Sequence, residues 1–267
     1  MATVVFFHAH PDDECVLTGG TLAKLAIAGH RIVLVMATRG EHGEVADGVL
    51  ADGETLGEHR TVELEAAASV LGVSRVEWMG YVDSGMQDTV TNDLPGSFWR
   101  ADPVEAAERL ARLLRAEEAS TLVVYDDHGA YGHPDHVQVH RVGIRAAELA
   151  RTPVVYEATF DRDRMVAQLL ALQAEGLDGL PDEPPDESLG VSSELITTRI
   201  DVSAQADVKR RAMGCHRSQI GETSFFLSLR GEQFAAVFGT EEFIRRGAPA
   251  GTAETVLDLS STVGRLD

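Results

Sequence analysis

Residues 3 to 14 read TVVFFHAHPDDE, and this stretch decides the fold. The apolar run at 3–8 is short and continuous, which is typical of a strand buried on both faces of a sheet. It leads directly into two histidines, a proline and the consecutive acids Asp12, Asp13 and Glu14. Neighbouring like charges repel each other, so we expect a divalent cation to relieve the repulsion among these carboxylates.

Strand-like and helix-like patterns alternate through the first 160 residues. Strands are predicted at 3–8, 31–38, 75–81, 120–126 and 153–158, and helices at 18–28, 57–72, 102–118 and 133–150. After residue 160 the pattern is weaker and predicts one strand at 195–202 and one helix at 204–218. The alternation predicts an α/β fold with a Rossmann-like, mostly parallel sheet and helices on both faces. We expect a catalytic core at 1–160. A smaller C-terminal α+β extension at 161–267 should pack on the same domain and complete the substrate site.

The extension contains two segments without a regular pattern. An acidic, proline-rich stretch at 178–187 predicts a mobile loop. From about Gly247 the chain resembles a frayed tail.

Composition excludes several classes of partner. The chain has 267 residues, 44% hydrophobic and 25% charged, as in globular proteins. Its net charge of −20 disfavours nucleic acid and anionic membranes, which both attract clustered Lys and Arg. No apolar run could span a bilayer, no secretory signal is recognisable, and two cysteines form no CxxC motif. We therefore expect a cytoplasmic protein acting on a small molecule; the sequence does not indicate an oligomeric state.

Two polar clusters follow strands of the predicted sheet. Ligands of such sheets bind outside the carboxyl ends of the strands. His10 and Asp13 follow the first strand, and GHPDH (132–136) follows the strand at 120–126. His10, Asp13 and His136 form a set of two imidazoles and one carboxylate with an open position, as in catalytic zinc sites. Iron(II) would suit the same ligands.

The remaining polar residues of the clusters suggest hydrolytic chemistry. Asp12 would be free to take a proton from the attacking water, since zinc lowers the pKa of water from ~16 to about 7. His133, as an imidazolium, could stabilise an oxyanion and protonate a leaving nitrogen. Tyr131 could donate a hydrogen bond to the same oxygen. Each motif alone also has an ordinary interpretation, because PDD is a common turn and HxxH at a helix start is often solvated surface.

Taken together, the motifs resemble the LmbE/PIG-L deacetylases, zinc-dependent enzymes that remove an acyl group from N-acyl amino sugars. The resemblance is carried by AHPDDE (9–14), GHPDH (132–136), TRGEHGE (38–44), EHRTVELEAAASVLGV (58–73), YVDSGM (81–86) and, more weakly, CHRSQI (215–220). It covers most of residues 3–160. It implies a metal-dependent amidohydrolase that acts on a linear amide C–N bond.

The resemblance also implies a role for each matching residue. His10, Asp13 and His136 match the family's zinc ligands, Asp12 its general base, His133 its general acid or oxyanion stabiliser, Asp135 the residue that orients His133, and Tyr131 the group that polarises the amide carbonyl. Glu44, Arg60 and Asp83 match positions that contact the sugar or polyol. From the residues alone, Arg60 could equally form a salt bridge on a helix surface, and Asp83 could be a turn residue.

Within the family, YVDSGM and GAYGHPDH (129–136) resemble the actinobacterial branch of mycothiol biosynthesis most. The expected function is removal of an acetyl group from a GlcNAc glycoside, with an amidase of mycothiol-type conjugates as the alternative. His42 stands where an acidic residue is expected, and residues 178–190 have no counterpart. A metal-dependent phosphoester hydrolase is disfavoured because no glycine-rich phosphate loop is present. A non-catalytic sugar-binding module is disfavoured by the intact acid and base positions.

Overall fold

A computed structural model of the protein describes residues 1–45, 48–174, 176, 183–221, 224–229 and 231–260. Within these ranges seven strands form one sheet: β1 (Thr3–His8), β2 (Arg31–Met36), β3 (Arg75–Trp78), β4 (Thr121–Tyr125), β5 (Val154–Thr159), β6 (Thr198–Asp201) and β7 (Thr240–Arg245). Their order across the sheet is β3-β2-β1-β4-β5-β7-β6. The first five strands are parallel, and β7 is antiparallel to both β5 and β6. The predicted Rossmann-like, mostly parallel sheet is confirmed.

Helices cover both faces of this sheet. The described helices are α1 (Asp13–Ile27), α2 (Leu56–Leu71), α3 (Pro103–Ala116), α4 (Gly129–Gly132), α5 (Pro134–Ala150), α6 (Arg162–Ala174), α7 (Ala206–Met213), α8 (Phe225–Ser228) and α9 (Glu232–Phe238). Side chains alternate along β1, so Val4 and Phe6 join a core with α1, α2 and α7, while Val5 and Phe7 join a second core with α3 and α5. None of these helices is long and apolar enough to cross a bilayer.

Local sequence signals fix the helices that carry site residues. Helix α2 begins with a capping box between Thr55 and Glu58 and ends at Gly72, whose φ of 77° suits glycine. Helix α5 begins with Pro134 at its first position, and the His133 side chain accepts a hydrogen bond from the Asp135 N–H. These caps set where each helix starts, and therefore where its first polar side chains lie.

Several predicted boundaries differ from the structure. Helix α1 begins at Asp13 instead of residue 18. Asp13 and Glu14 lie in its first turn, where the positive end of the helix dipole stabilises negatively charged side chains. The segment at 178–182 lies outside the described residues, while Glu183 and the residues after it are irregular up to the turn at 193.

The described residues of the predicted C-terminal tail are more ordered than expected, and residues 261–267 lie outside the described part of the chain. The tail predicted from Gly247 is not frayed between 247 and 260: the main chain of Glu254 hydrogen-bonds to that of Thr197 and Arg199, and Leu257 is buried. The sequence pattern also missed helix α6 and strand β7. Strand β7 was missed because its buried acids Glu241 and Glu242 hide the apolar alternation of an ordinary strand.

A glycine-dependent contact holds α5 against the sheet. A Cβ at Gly143 of α5 would overlap Cγ1 of Val124 on β4, and both residues are buried. We predict that Gly143→Ala lowers the free energy of unfolding by about 1–3 kcal/mol, measured by urea denaturation. Gly221→Ala is the control, because nothing lies within 4 Å of its added Cβ. Equal midpoints for the two variants would contradict the close packing.

Candidate active site

The two polar clusters meet because their strands are neighbours. Strand β1 pairs with β4 in parallel, so both carboxyl ends open onto the same edge of the sheet. The loop after β1 carries His10. After β4, the short helix α4 carries Tyr131 and leads through His133 into α5, which carries His136. The rings of His10 and His133 lie 4.5 Å apart, and those of His10 and His136 lie 5.3 Å apart. The expected meeting of the clusters is therefore observed.

Asp13 lies between two imidazoles. Its Oδ2 is 3.4 Å from His10 Nδ1 and 3.3 Å from His136 Nε2, and all three side chains are buried. A tetrahedral zinc ion with bonds of about 2.05 Å holds its ligand atoms about 3.3 Å apart. The chemistry and spacing of these donor atoms therefore fit a divalent cation. A ring nitrogen of His133 also lies within 4.8 Å of those of His10 and His136, so a third imidazole is close by.

Carboxylates surround His10. Its Nε2 lies 3.1 Å from Asp135 Oδ2 and 3.4 Å from Asp83 Oδ1. Burial alone would lower the pKa of His10, but Asp83, Asp13 and Asp135 outweigh it and raise that pKa well above its ordinary value. This pocket therefore favours positive charge. A hydrogen bond from Nε2–H to a carboxylate leaves Nδ1 free to face Asp13, a common arrangement for a metal-binding histidine.

Asp135 has a different side-chain partner from the one expected. Its carboxylate accepts hydrogen bonds from the Ser84 N–H at 2.9 Å and from the Ser84 hydroxyl, and it contacts His10. Its link to His133 runs through the main chain, where Asp135 N–H donates to His133 Nδ1 at 3.1 Å. The carboxylate thus orients His10, and the backbone orients His133. Ser84 was missed because a single serine in a loop has no distinctive sequence signal.

Asp12 sits on an unusual backbone beside the trio. Its φ is 113°, and its N–H donates to Glu14 Oε2 at 2.9 Å. Arg60 lies against it: one guanidinium nitrogen donates to the Pro11 carbonyl and lies 3.3 Å from Asp12 Oδ1. Burial raises the pKa of Asp12 to about 7, although Arg60 opposes the shift. A carboxylate with this pKa suits general base catalysis near neutral pH.

His133 and Tyr131 border the same space. Burial, together with His10 and His136, lowers the pKa of His133 to about 2, so this ring is neutral unless it receives a proton during a reaction. The Tyr131 hydroxyl lies 3.3 Å from His136 Nε2, and 38% of the residue is exposed. Burial and the nearby carboxylates of Asp13 and Asp12 raise the pKa of Tyr131, so its hydroxyl stays protonated and can donate.

The three predicted sugar-contacting residues differ in position. Arg60 is buried and also donates to the Gly40 carbonyl, so it is not part of a surface salt bridge. Asp83 both forms a turn and faces His10, because its Oδ1 accepts from the Gly85 N–H at 2.8 Å and lies 3.4 Å from the His10 ring. Glu44 is exposed on the loop after β2, and its main-chain oxygen accepts from Gln219. His42 donates its N–H to Asp83.

Glu14 does not face the trio. Its Oε1 accepts from His216 Nε2 at 2.7 Å and from Cys15 Sγ at 2.9 Å, and all three residues are close to the α1–α7 contact. Glu14 and His216 are fully buried. Burial opposes both charges, but the pair lowers the pKa of Glu14 and raises that of His216. The expectation that one cation relieves all three acids is wrong: Asp12 faces Arg60, Asp13 faces imidazoles, and Glu14 faces His216.

Sequence reasoning missed the role of His216. The only signal was the weak similarity of CHRSQI (215–220), which lies 202 residues from Glu14. No local pattern links residues so far apart in the chain.

Comparison with known proteins places the chain in a family. The family profile described as PIG-L, GlcNAc-PI de-N-acetylase, matches residues 5–147. This chain belongs to the PIG-L family. A curated relative from Thermomonospora curvata, named 1D-myo-inositol 2-acetamido-2-deoxy-alpha-D-glucopyranoside deacetylase, is 37% identical over 94% of this chain and 92% of its own length. The PIG-L assignment agrees with the resemblance seen in the motifs, and it makes the protein a hydrolase of the de-N-acetylase type.

Solved structures support the PIG-L fold. The N,N'-diacetylchitobiose deacetylase of Pyrococcus horikoshii is 24% identical, with a TM-score of 0.56 over 91% of this chain and 83% of its own. The 4-carboxy-2-hydroxymuconate hydratase GalB of Pseudomonas putida KT2440 is 19% identical, with a TM-score of 0.56 over 97% of this chain and 100% of its own. Deacetylases and a hydratase thus share this fold, so site chemistry has to decide the reaction.

We predict that Arg60→Gln moves the acidic limb of the pH profile towards higher pH. The Arg60 charge lowers the pKa of Asp12, so its removal makes this carboxylate a base only at higher pH. The measurement is kcat/KM against pH for folded, metal-loaded protein. A limb that stays in place or moves to lower pH would show that Asp12 does not set it.

We predict that Glu14→Gln destabilises the protein by about 3 kcal/mol, since it leaves His216 buried without its counter-charge. Bound metal, assayed on the folded protein, should be retained, because Glu14 faces away from Asp13. Arg145, in an exposed pair with Glu148, gives a matched control: Glu148→Gln should cost less than about 1 kcal/mol. Loss of metal in Glu14→Gln would refute the separation of the acids.

Proposed function

We propose that the protein hydrolyses the N-acetyl amide of a glucosaminide with one divalent cation, zinc, held by His10, Asp13 and His136. The observation that carries this proposal is the spacing of the Asp13 carboxylate from two imidazole nitrogens, 3.4 and 3.3 Å, beside a carboxylate with a pKa of about 7. When bound, the cation supplies Lewis acidity to the carbonyl and lowers the pKa of water.

Side chains of the protein supply proton transfer, oxyanion stabilisation and orientation of the metal ligands. Asp12 takes the proton of the attacking water, and Arg60 keeps this carboxylate oriented and favours its ionised form. Tyr131, protonated and half-exposed beside His136, donates a hydrogen bond to the developing oxyanion. His133 is neutral before the reaction; it receives the proton that Asp12 removed from water and delivers it to the leaving amine. Asp135 orients His10 by accepting a hydrogen bond from its Nε2.

The substrate class follows the curated relative. That protein is named a deacetylase of a 2-acetamido-2-deoxy-glucopyranoside of myo-inositol. We propose a free small molecule of this class, an N-acetylglucosamine joined to a polyol, as the substrate here. Asp83, Arg60 and Glu44 would hold its hydroxyl groups. The cytoplasm is the proposed compartment, supported by two cysteines that are both free.

The predicted catalytic core at 1–160 and C-terminal extension at 161–267 would both contribute to the proposed substrate site. The C-terminal extension contributes His216, which holds Glu14, and Gln219, which bonds the Glu44 loop at 2.9 Å. Strands β6 and β7 extend the same sheet as the core. The extension would thus complete the substrate site rather than form a separate unit.

We predict that chelation abolishes acetate release from N-acetylglucosaminyl-inositol and that zinc restores it. Asp12→Asn should keep its metal but lose at least about 100-fold in kcat, the usual contribution of a general base. His136→Ala should lose its metal. His30→Ala is the matched control, since His30 precedes β2 at the opposite edge of the sheet. The readouts are acetate release and metal content on the same samples.

Two results would contradict the proposal. Normal turnover in Asp12→Asn would remove the general base, and full zinc occupancy in His136→Ala would remove the ligand set. Phosphomonoesters assayed in parallel test the phosphoester alternative. Bound sugar that stays intact in the zinc-loaded protein would favour a binding module.

A further inference from the structure

A large cavity opens directly beside the proposed catalytic groups. Its volume is about 590 Å³, and Asp12, Asp13 and Tyr131 form part of its wall. Apart from Val16 and Leu17 of α1, the other described residues of the wall come from the region after residue 158. The cavity is therefore continuous with the reaction site and is built by the C-terminal extension.

Most of this wall is apolar. Met165, Leu169 and Leu172 repeat at helical spacing along α6 and line one side. Phenylalanines from α8 and α9 line another: Phe225, Phe226 and Phe238. An apolar stripe on a helix that is otherwise mostly exposed requires something apolar to cover it.

Four of the charged residues on the wall form two pairs with one another. Lys209 Nζ lies 2.6 Å from Glu241 Oε1, and an Arg164 guanidinium nitrogen lies 2.6 Å from Glu242 Oε1. Each of these pairs sets a basic group against an acidic one, and the other acidic wall residues are Asp12 and Asp13 at the reaction site and Glu183. The cavity therefore selects for an apolar group more than for an ion.

The proposed sugar-contacting residues lie elsewhere. Arg60, Asp83 and Glu44 do not line the described cavity wall; they belong to the elements after β2 and β3. An amide carbonyl placed between Asp13 and Tyr131 has two substituents, the nitrogen with its sugar and the acyl group. With the sugar on the polar side, the acyl group points into the cavity.

We infer that the cavity is an acyl-chain site and that the protein hydrolyses N-acyl glucosaminides with straight chains of about eight carbons. This inference rests on the proposed function. The reaction is balanced by water alone: its oxygen forms the new bond to the carbonyl carbon, the C–N bond breaks, and a fatty carboxylate and the free amine leave.

The size of the cavity agrees with such a chain. A water molecule occupies about 30 Å³ of liquid, and a methylene group is of similar size. Eight groups of this size need about 240 Å³, well within the 590 Å³ present. An acetyl group would leave most of the apolar wall uncovered.

A chain-length series tests the inference. N-acetyl, N-butanoyl, N-hexanoyl and N-octanoyl glucosaminides with the same polyol aglycone are assayed on zinc-loaded, full-length protein. We predict that kcat/KM rises at least about tenfold from acetyl to octanoyl, because added methylene groups in an apolar pocket each improve binding.

Variants on α6 locate the effect. Leu172→Trp fills the cavity and should lower the octanoyl-to-acetyl ratio of kcat/KM at least tenfold. Leu170→Trp is the matched control: Leu170 is on the same helix, is 55% exposed and does not line the cavity, so its ratio should equal that of the wild type.

The outcomes separate the two proposals. Hydrolysis of the acetyl compound with no gain for longer chains overturns the acyl-chain site and leaves the deacetylase proposal standing. A gain seen instead with an octyl aglycone on N-acetylglucosamine, and lost in Leu172→Trp, overturns it in favour of an aglycone site. No hydrolysis of any compound refutes the deacetylase proposal, and the acyl-chain site falls with it.

Discussion

Asp12, Asp13 and Glu14 are consecutive carboxylates, and the structure holds each against a different basic side chain. Asp12 meets Arg60 from α2, Asp13 meets the imidazoles after β1 and β4, and Glu14 meets His216 from the extension. Three adjacent negative charges in a buried position would be strongly unfavourable without such partners. The partners come from separate parts of the chain, so the whole fold must form before the acids are compensated.

This separation gives the site its chemistry. The start of α1 at Asp13 directs successive side chains to different sides, and Asp12, which precedes the helix with a φ of 113°, borders the cavity. Asp13 has its pKa held well below the ordinary value: burial opposes this, but His136 and His10 prevail. Asp12 has its pKa raised to about 7, chiefly by burial. Two neighbouring carboxylates are thus prepared for different tasks, one to bind a cation and one to exchange a proton.

The sequence predicted the part of the site that follows from strand order. Apolar runs identified β1 and β4, and the rule that ligands lie at carboxyl ends brought His10 and His136 together. The sequence alone could not predict side-chain partners that depend on tertiary packing. The Asp135 carboxylate contacts His10 instead of His133, and Glu14 contacts His216. These partners depend on where the helices begin and on contacts between residues up to about 200 positions apart, which a local sequence pattern does not contain. Strand β7 and the ordered tail were missed for a related reason, since the buried Glu241 of β7 and the partly buried Glu254 of the tail meet their basic partners only in the folded chain.

Crystals of the zinc-loaded protein, measured by anomalous diffraction at the zinc edge, test the separation of the three acids most directly. We predict one strong peak within about 2.0–2.3 Å of His10 Nδ1, an Asp13 oxygen and His136 Nε2, with Glu14 still hydrogen-bonded to His216. A peak among Glu14, Cys15 and His216, which also cluster closely enough to bind a metal, would contradict it. So would a peak coordinated by His10, His133 and His136 with Asp13 turned away.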